Sequence, residues 1–194
     1  MYEDIITSLE NSTIIEKAGY SYFVHPLTNG VPSTDPAMIS EIADWMADVG
    51  NLDCDVILTP ESMGIPYAVA LSLKTGKPYS VVRKMSVGAE GEIEITQRTG
   101  YSKSSMYING ITEGTRVVIV DDVVSTGGTL NSIVSAVRMA KAEIVDILVP
   151  INKDGGAGKL TGMGVRVKTM FDISVEKGKV RACLSADRAE DDGN

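Results

Sequence analysis

Two adjacent carboxylates, Asp121 and Asp122, are followed at once by Val123-Val124-Ser125-Thr126-Gly127-Gly128-Thr129. Val117-Val118-Ile119-Val120 runs without a polar break just before them. Such a run suits a buried strand of a parallel sheet. Where it ends, the acidic pair stands free to do chemistry. The Ser-Thr-Gly-Gly-Thr stretch then leads into a helix beginning near Thr129, and a helix N-terminus offers unpaired N–H groups and a positive dipole end to a phosphate. Gly127 and Gly128 let the backbone approach closely. The hydroxyls of Ser125, Thr126 and Thr129 can donate to phosphate oxygens. The carboxylates cannot hold phosphate themselves. They suit sugar hydroxyls, or a Mg²⁺ that a sugar and a diphosphate also coordinate. One turn thus offers a monophosphate site beside a polyol and metal site.

The remaining segments must position that turn. Asp35-Pro36 caps a helix carrying Met38, Ile42, Trp45, Met46 and Val49 on one face, with Gly50 at its end. Cys54 to Thr59 reads as a strand, Pro60 to Gly64 as a turn, and Ile65 to Thr75 as a helix ended by Gly76. Tyr79 to Val82 and Arg116 to Val120 read as strands, and Leu130, Ile133, Val134 and Val137 as a helix face. Ile144 to Val149 and Val165 to Val167 complete the strands. Strand–helix alternation of this kind predicts an α/β fold with a mainly parallel central sheet flanked by helices. Ligands in such folds bind beyond the carboxyl ends of the strands. The loops 59–64, 121–129 and 151–158 are therefore expected on one edge. Residues 85–114 break the alternation, and a long excursion of this kind is often a lid or binding loop.

With 194 residues the chain suits one domain that needs no disulfide or metal to hold a core. Two cysteines exclude a disulfide framework, and the single histidine, His25, excludes a two-imidazole zinc centre. A formal charge of -8 opposes general nucleic-acid binding. No apolar run has the length of a membrane span, and the acidic N-terminus does not resemble a secretion signal. A cytoplasmic location is the expectation. Gly155-Gly156-Ala157-Gly158-Lys159-Leu160 is not a Walker loop, since Lys153 stands where its first glycine is needed and Leu160 where its Ser/Thr is needed.

The stretch 117–129 resembles the phosphoribosyl-pyrophosphate (PRPP) motif of the type I phosphoribosyltransferases at all thirteen positions. The resemblance implies the type I phosphoribosyltransferase fold over 1–194, with an N-terminal helix and hood at 1–35 and a core at 36–184. It further implies a flexible loop at 85–114, and composition suggests a disordered polar tail at 185–194. Asp121 and Asp122 become the catalytic and metal-binding pair, and Ser125, Thr126, Gly127, Gly128 and Thr129 the 5′-phosphate loop. Glu61-Ser62-Met63-Gly64 sits where adenine-type members carry a Glu-Ser-Arg-Gly pyrophosphate loop, often with a cis peptide. Met63 departs from that arginine. Arg83 and Lys84 fall where the family places cations against pyrophosphate.

Gly100, Tyr101, Ser102 and Lys103 match the tip of the flexible loop. Gly100 replaces the catalytic glutamate of adenine-type members, so that residue's role does not transfer. The segment 22–32 is similar to the adenine-type hood, where Tyr22 or Phe23 would stack on a purine and Val24 would read its edge through backbone groups. With 99–103 and Tyr107-Ile108-Asn109-Gly110, the chain is most similar to the archaeal hypoxanthine/guanine phosphoribosyltransferases. The resemblance implies purine salvage with PRPP, a purine base, Mg²⁺ and a homodimer. Adenine as the base, and a PRPP-sensing nucleic-acid-binding regulator on the same fold, are the competing readings. No basic face or added helix-turn-helix supports the regulator.

Overall fold

In the computed structural model, residues 2–17, 20–98, 103–164, 166–176 and 178–186 are described. The chain opens with helix α1 (Glu3–Glu10), the hairpin β1 (Thr13–Lys17) and β2 (Tyr20–Val24), and the short helix α2 (Pro26–Asn29). Then come α3 (Pro36–Val49), β3 (Val56–Pro60), α4 (Gly64–Thr75) and β4 (Tyr79–Val82). A second hairpin follows, β5 (Ile93–Arg98) and β6 (Lys103–Ile108). The last part runs β7 (Arg116–Val120), β8 (Val123–Val124), α5 (Gly128–Met139), β9 (Glu143–Lys153), a 3₁₀ helix (Gly156–Met163), β10 (Lys168–Glu176) and β11 (Lys179–Leu184).

The central sheet has the order β11-β10-β9-β7-β3-β4, with β8 pairing β9. Every pairing is parallel except that of β10 with β11. The uninterrupted Val117–Val120 run is explained by burial on both faces. Val118 and Val120 pack with Ile42, Trp45, Met46, Tyr67 and Leu71 on the α3/α4 side. Val117 and Ile119 pack with Leu130, Ile133, Val134 and Val137 of α5 on the other. Full burial of a Val or Leu side chain stabilises by roughly 1.5–3 kcal/mol, so both layers hold the β7 backbone firmly where it meets Asp121.

Helix α3 starts at the predicted proline, and the Asp35 carboxylate accepts from the Ala37 N–H at 2.8 Å. The excursion 85–114 contains a hairpin packed on the core: Ile95, Met106, Ile108 and Ile111 are buried in the α5-side layer. Its base is tied to β4 by paired backbone hydrogen bonds between Arg83 and Tyr107.

Four expectations need correction. The strand placed at Val165–Val167 is β10 and begins at Lys168; Arg166 and Val167 precede it in irregular backbone. Of its apolar residues, Val167 is buried ahead of the strand and Val165 lies outside the described residues. The strand expected from Cys54 starts at Val56; ahead of it Asp55 donates its backbone N–H to the Arg116 carbonyl at 2.8 Å, while the Arg116 N–H goes to the Asp55 carboxylate rather than to a backbone carbonyl. The loop expected at 151–158 is partly strand and partly helix, since β9 runs to Lys153 and the 3₁₀ helix starts at Gly156. The polar tail was placed from Ser185, yet Ser185 is buried and its hydroxyl meets Thr169 Oγ1 at 2.9 Å. Residues 187–194 lie outside the described residues. None of the described helices is long and apolar enough to cross a membrane.

Candidate active site

Strand β9 explains why the chain turns where it does. Leu148 pairs with Val120 of β7, and Ile151 pairs with Val123 of β8. Asp121 and Asp122 therefore sit opposite Val149 and Pro150, in the gap between two short ladders. Proline has no N–H to give a ladder there. The acidic pair thus leaves the sheet at its carboxyl edge. Asp121 is 7 % exposed, and its carboxylate accepts from the Asp122 backbone N–H at 2.9 Å.

Burial pushes the Asp121 carboxyl well above the ordinary carboxylate range, and the neighbouring Asp122 charge adds to the effect. Burial also raises Asp122, to about 6. The two titrate as a pair. Such a pair has a strong demand for a proton, a cation or hydroxyl donors. Two hard carboxylates fit a Mg²⁺ whose other ligands come from substrate phosphates and water. No group of three or more His, Cys, Asp or Glu side chains that could hold a metal ion occurs among the described residues.

Beyond the pair, residues Val123 to Leu130 and Asp121 line a cavity of about 180 Å³. Ser125, Thr126, Gly127, Gly128 and Thr129 are all in its wall. Gly127 has φ 76°, a conformation glycine adopts without Cβ strain, and it caps α5. The helix thereby begins at Gly128, whose N–H reaches Thr126 Oγ1 at 3.5 Å, and its first turn lies at the cavity.

The predicted pyrophosphate loop lies beside the pair. Gly64 starts α4, and a Cβ there would stand 2.3 Å from Thr59 Oγ1 and 3.2 Å from Asp121 Oδ1. The 59–64 and 121–129 loops are thus in direct contact, as their shared sheet edge predicted. The Glu61–Ser62 peptide is cis, as the resemblance implied. Glu61 accepts from the Lys84 N–H at 3.3 Å, which draws the end of β4 against the loop. Arg83, Lys84 and Ser62 are exposed. Met63 turns toward the hood: its Sδ and Cε lie 3.8 and 3.7 Å from the Cβ position of Gly30.

In the hood, the two candidate aromatics separate. Phe23 is 7 % exposed and belongs to the core. Tyr22 is 49 % exposed, on the other face of β2. Strand alternation forces that split, so Phe23 is a packing residue and Tyr22 is the candidate left for stacking. Val24 is half-buried. His25 is not free for catalysis: Nδ1 accepts from the Leu27 N–H at 3.2 Å, and Nε2 meets Ser8 Oγ at 2.9 Å. Gly100, Tyr101 and Ser102 lie outside the described residues, and Lys103 opens β6.

Three features were not legible from motifs. Tyr67 is fully buried and donates to the Leu27 carbonyl at 2.7 Å. The Asp122 and Asp121 charges help raise its phenol further, after burial. An aromatic on an apolar helix face reads as ordinary core. Thr59 Oγ1 is buried beside Asp121 and without a hydrogen-bond partner among the described residues. Lys153, at the end of β9, is 3 % exposed and pairs with Asp154 at 3.0 Å.

This arrangement has relatives. Residues 34–178 match the phosphoribosyl transferase domain model. The hypoxanthine/guanine phosphoribosyltransferase of Methanosarcina acetivorans is 50 % identical over 179 residues, covering 92 % of this chain and 95 % of the relative. That of Methanohalophilus mahii is 47 % identical over 180 residues, covering 93 % and 95 %. Among solved structures, adenine phosphoribosyltransferase from Thermoanaerobacter pseudethanolicus has a TM-score of 0.70 at 21 % identity, covering 86 % of this chain and 96 % of its own. The Saccharomyces cerevisiae enzyme, complexed with an imino-altritol bisphosphate and adenine, also scores 0.70, at 20 % identity with 87 % and 97 % covered. At those identities the likeness is one of fold. On these matches the chain belongs to the phosphoribosyl transferase family.

Proposed function

We propose that this chain joins the 5-phosphoribosyl group of PRPP to hypoxanthine or guanine, giving IMP or GMP and pyrophosphate. The observation that carries the reading is the Asp121–Asp122 pair, with Asp121 buried and Asp122 half-buried, between the phosphate-loop cavity and the Gly64 turn. The names of the archaeal relatives support the 6-oxopurine as base.

In the reaction, the bond from the anomeric carbon to pyrophosphate oxygen breaks. A bond from that carbon to a base nitrogen forms, and the base gives up one proton. Positive charge grows on the ribose between the two events. The chain's part is electrostatic and positional. Asp121 and Asp122 hold the ribose hydroxyls and lower the energy of the cationic sugar. Ser125 to Thr129 hold the 5′-phosphate through hydroxyls and amides. Glu61 to Gly64, with Arg83 and Lys84, face the leaving pyrophosphate. Tyr22 and Val24 of the hood face the base. Asp122 is the candidate to take the proton of the incoming base, on a carboxylate oxygen that a metal does not hold. A Mg²⁺ on the Asp121 and Asp122 carboxylates would neutralise pyrophosphate charge. The 85–114 segment would cover the site against water. The resemblance adds a homodimer, which sedimentation at working concentration checks.

Radiolabelled hypoxanthine, guanine and adenine, each offered with PRPP and Mg²⁺, test the reading. Nucleotide is expected from the first two. Conversion of adenine alone would transfer the activity to the other base, and conversion of none would remove it.

A further inference from the structure

Residues 155–160 carry no nucleotide loop of their own, yet they fold directly behind the phosphate loop. Gly155, with φ 68°, turns the chain back after β9. Gly156 then rests on the phosphate loop's backbone. A Cβ at Gly156 would stand 2.5 Å from the Ser125 carbonyl oxygen, 2.6 Å from that of Val124 and 2.7 Å from Ser125 Cα. No side chain fits there. Further along, Lys159 Nζ donates to the Ser125 carbonyl at 2.8 Å. Leu160 is fully buried, with its Cγ 3.5 Å from the Cβ position of Gly127. Asn152 holds the start of this segment: its Oδ1 accepts from the Ala157 N–H at 2.9 Å, and its Nδ2 donates to Asp172 at 2.7 Å.

Electrostatics gives the contact a purpose. The cavity lining, Asp121 and Val123 to Leu130, contains no cation. It does contain a carboxylate, and a second one is adjacent in sequence. A phosphate monoester is close to dianionic at neutral pH, so hydroxyls and amides alone must offset that repulsion. An ammonium on the Ser125 carbonyl cancels the negative end of a dipole beside the site. Its head group is exposed and carries three donors, of which the Ser125 carbonyl uses one.

We propose that Gly156 and Lys159 form a second wall of the 5′-phosphate site. Gly156 backs the Ser125 main chain so that the loop keeps its shape. Lys159 supplies the positive charge that the loop lacks. The inference rests on reading the 125–129 turn as a 5′-phosphate loop. Both are positioning residues.

The test uses the full-length protein and calorimetric binding of ribose 5-phosphate and, separately, of Mg²⁺-pyrophosphate. Lys159→Met is expected to weaken ribose 5-phosphate about five- to tenfold, as loss of one charge-assisted contact does, and to flatten its salt dependence. Pyrophosphate affinity stays as in the parent, and Lys159→Arg restores ribose 5-phosphate binding. Gly156→Ala loses the same ligand more severely, with melting curves reporting whether it folds. Parent-like binding in Lys159→Met, or equal loss of both ligands, overturns the inference. If the parent protein binds pyrophosphate but no ribose 5-phosphate, the phosphate-loop reading itself fails and this inference falls with it.

Discussion

The Tyr67 hydroxyl donates a 2.7 Å hydrogen bond to the Leu27 carbonyl, so the helix that begins at the Gly64 turn also carries the hood. Met63 meets the hood at Gly30 a few residues earlier. Segment 61–67 therefore joins the proposed pyrophosphate loop to the hood, the proposed base side of the site. Tyr67→Phe keeps the ring but leaves a buried carbonyl unpaired, at a cost of about 1–3 kcal/mol. The KM for the purine base should rise more than that for PRPP. Equal changes in both would show that the bond does not orient the hood.

Asp122→Asn separates activity from stability. Turnover should fall by about a hundredfold or more, since charge on the ribose loses its stabiliser. Stability should move the other way. The raised Asp122 pKa means the folded state holds a proton that the unfolded state releases from about pH 4 upward. Folding stability of the ligand-free parent therefore falls as pH rises through that window, up to about 6. The asparagine variant should be more stable than the parent at pH 7.5 by roughly 1–2 kcal/mol, and so melt at a higher temperature. Below pH 4 the difference should vanish. A lower melting temperature at pH 7.5 would contradict this.

Gly64→Ala introduces a methyl group 2.3 Å from a fully buried, β-branched threonine. Thr59 is β-branched and stiff at χ1, so it does not turn aside freely. Overpacking of this kind costs about 1–3 kcal/mol. Pyrophosphate product inhibition should weaken together with the melting temperature. Retention of both would mean that the 59–64 loop yields easily.

His25 predicts an acid limb. Burial lowers its pKa from 6.5 to about 4, and both ring nitrogens are engaged between α1 and α2. The unfolded chain binds the proton first, so this group's stability is full above pH 6.5 and is lost as pH falls toward 4. His25→Asn keeps a side-chain acceptor at the α2 cap. Its melting temperature should depend less on pH across that window than the parent's.

Much of the candidate site was legible in the amino-acid order because its determinants are local. A buried strand, an acidic pair, two glycines and a helix cap follow one another within thirteen residues. Helix bounds at Asp35-Pro36 and Gly76 were readable for the same reason, as capping chemistry acts between near neighbours. What folding alone decided involves partners far apart in the chain. The Val165–Val167 run looked like a strand, but pairing with β9 begins only at Lys168. Phe23 and Tyr22 carry equal stacking chemistry, and the β1–β2 register sends only Tyr22 outward. Tyr67 reaches Leu27 across forty residues, and Lys159 reaches Ser125 across thirty-four. Short-range rules name the residues that can cup a phosphate. The walls around that cup depend on which strands lie side by side, and burial of both sheet faces settles that only in three dimensions.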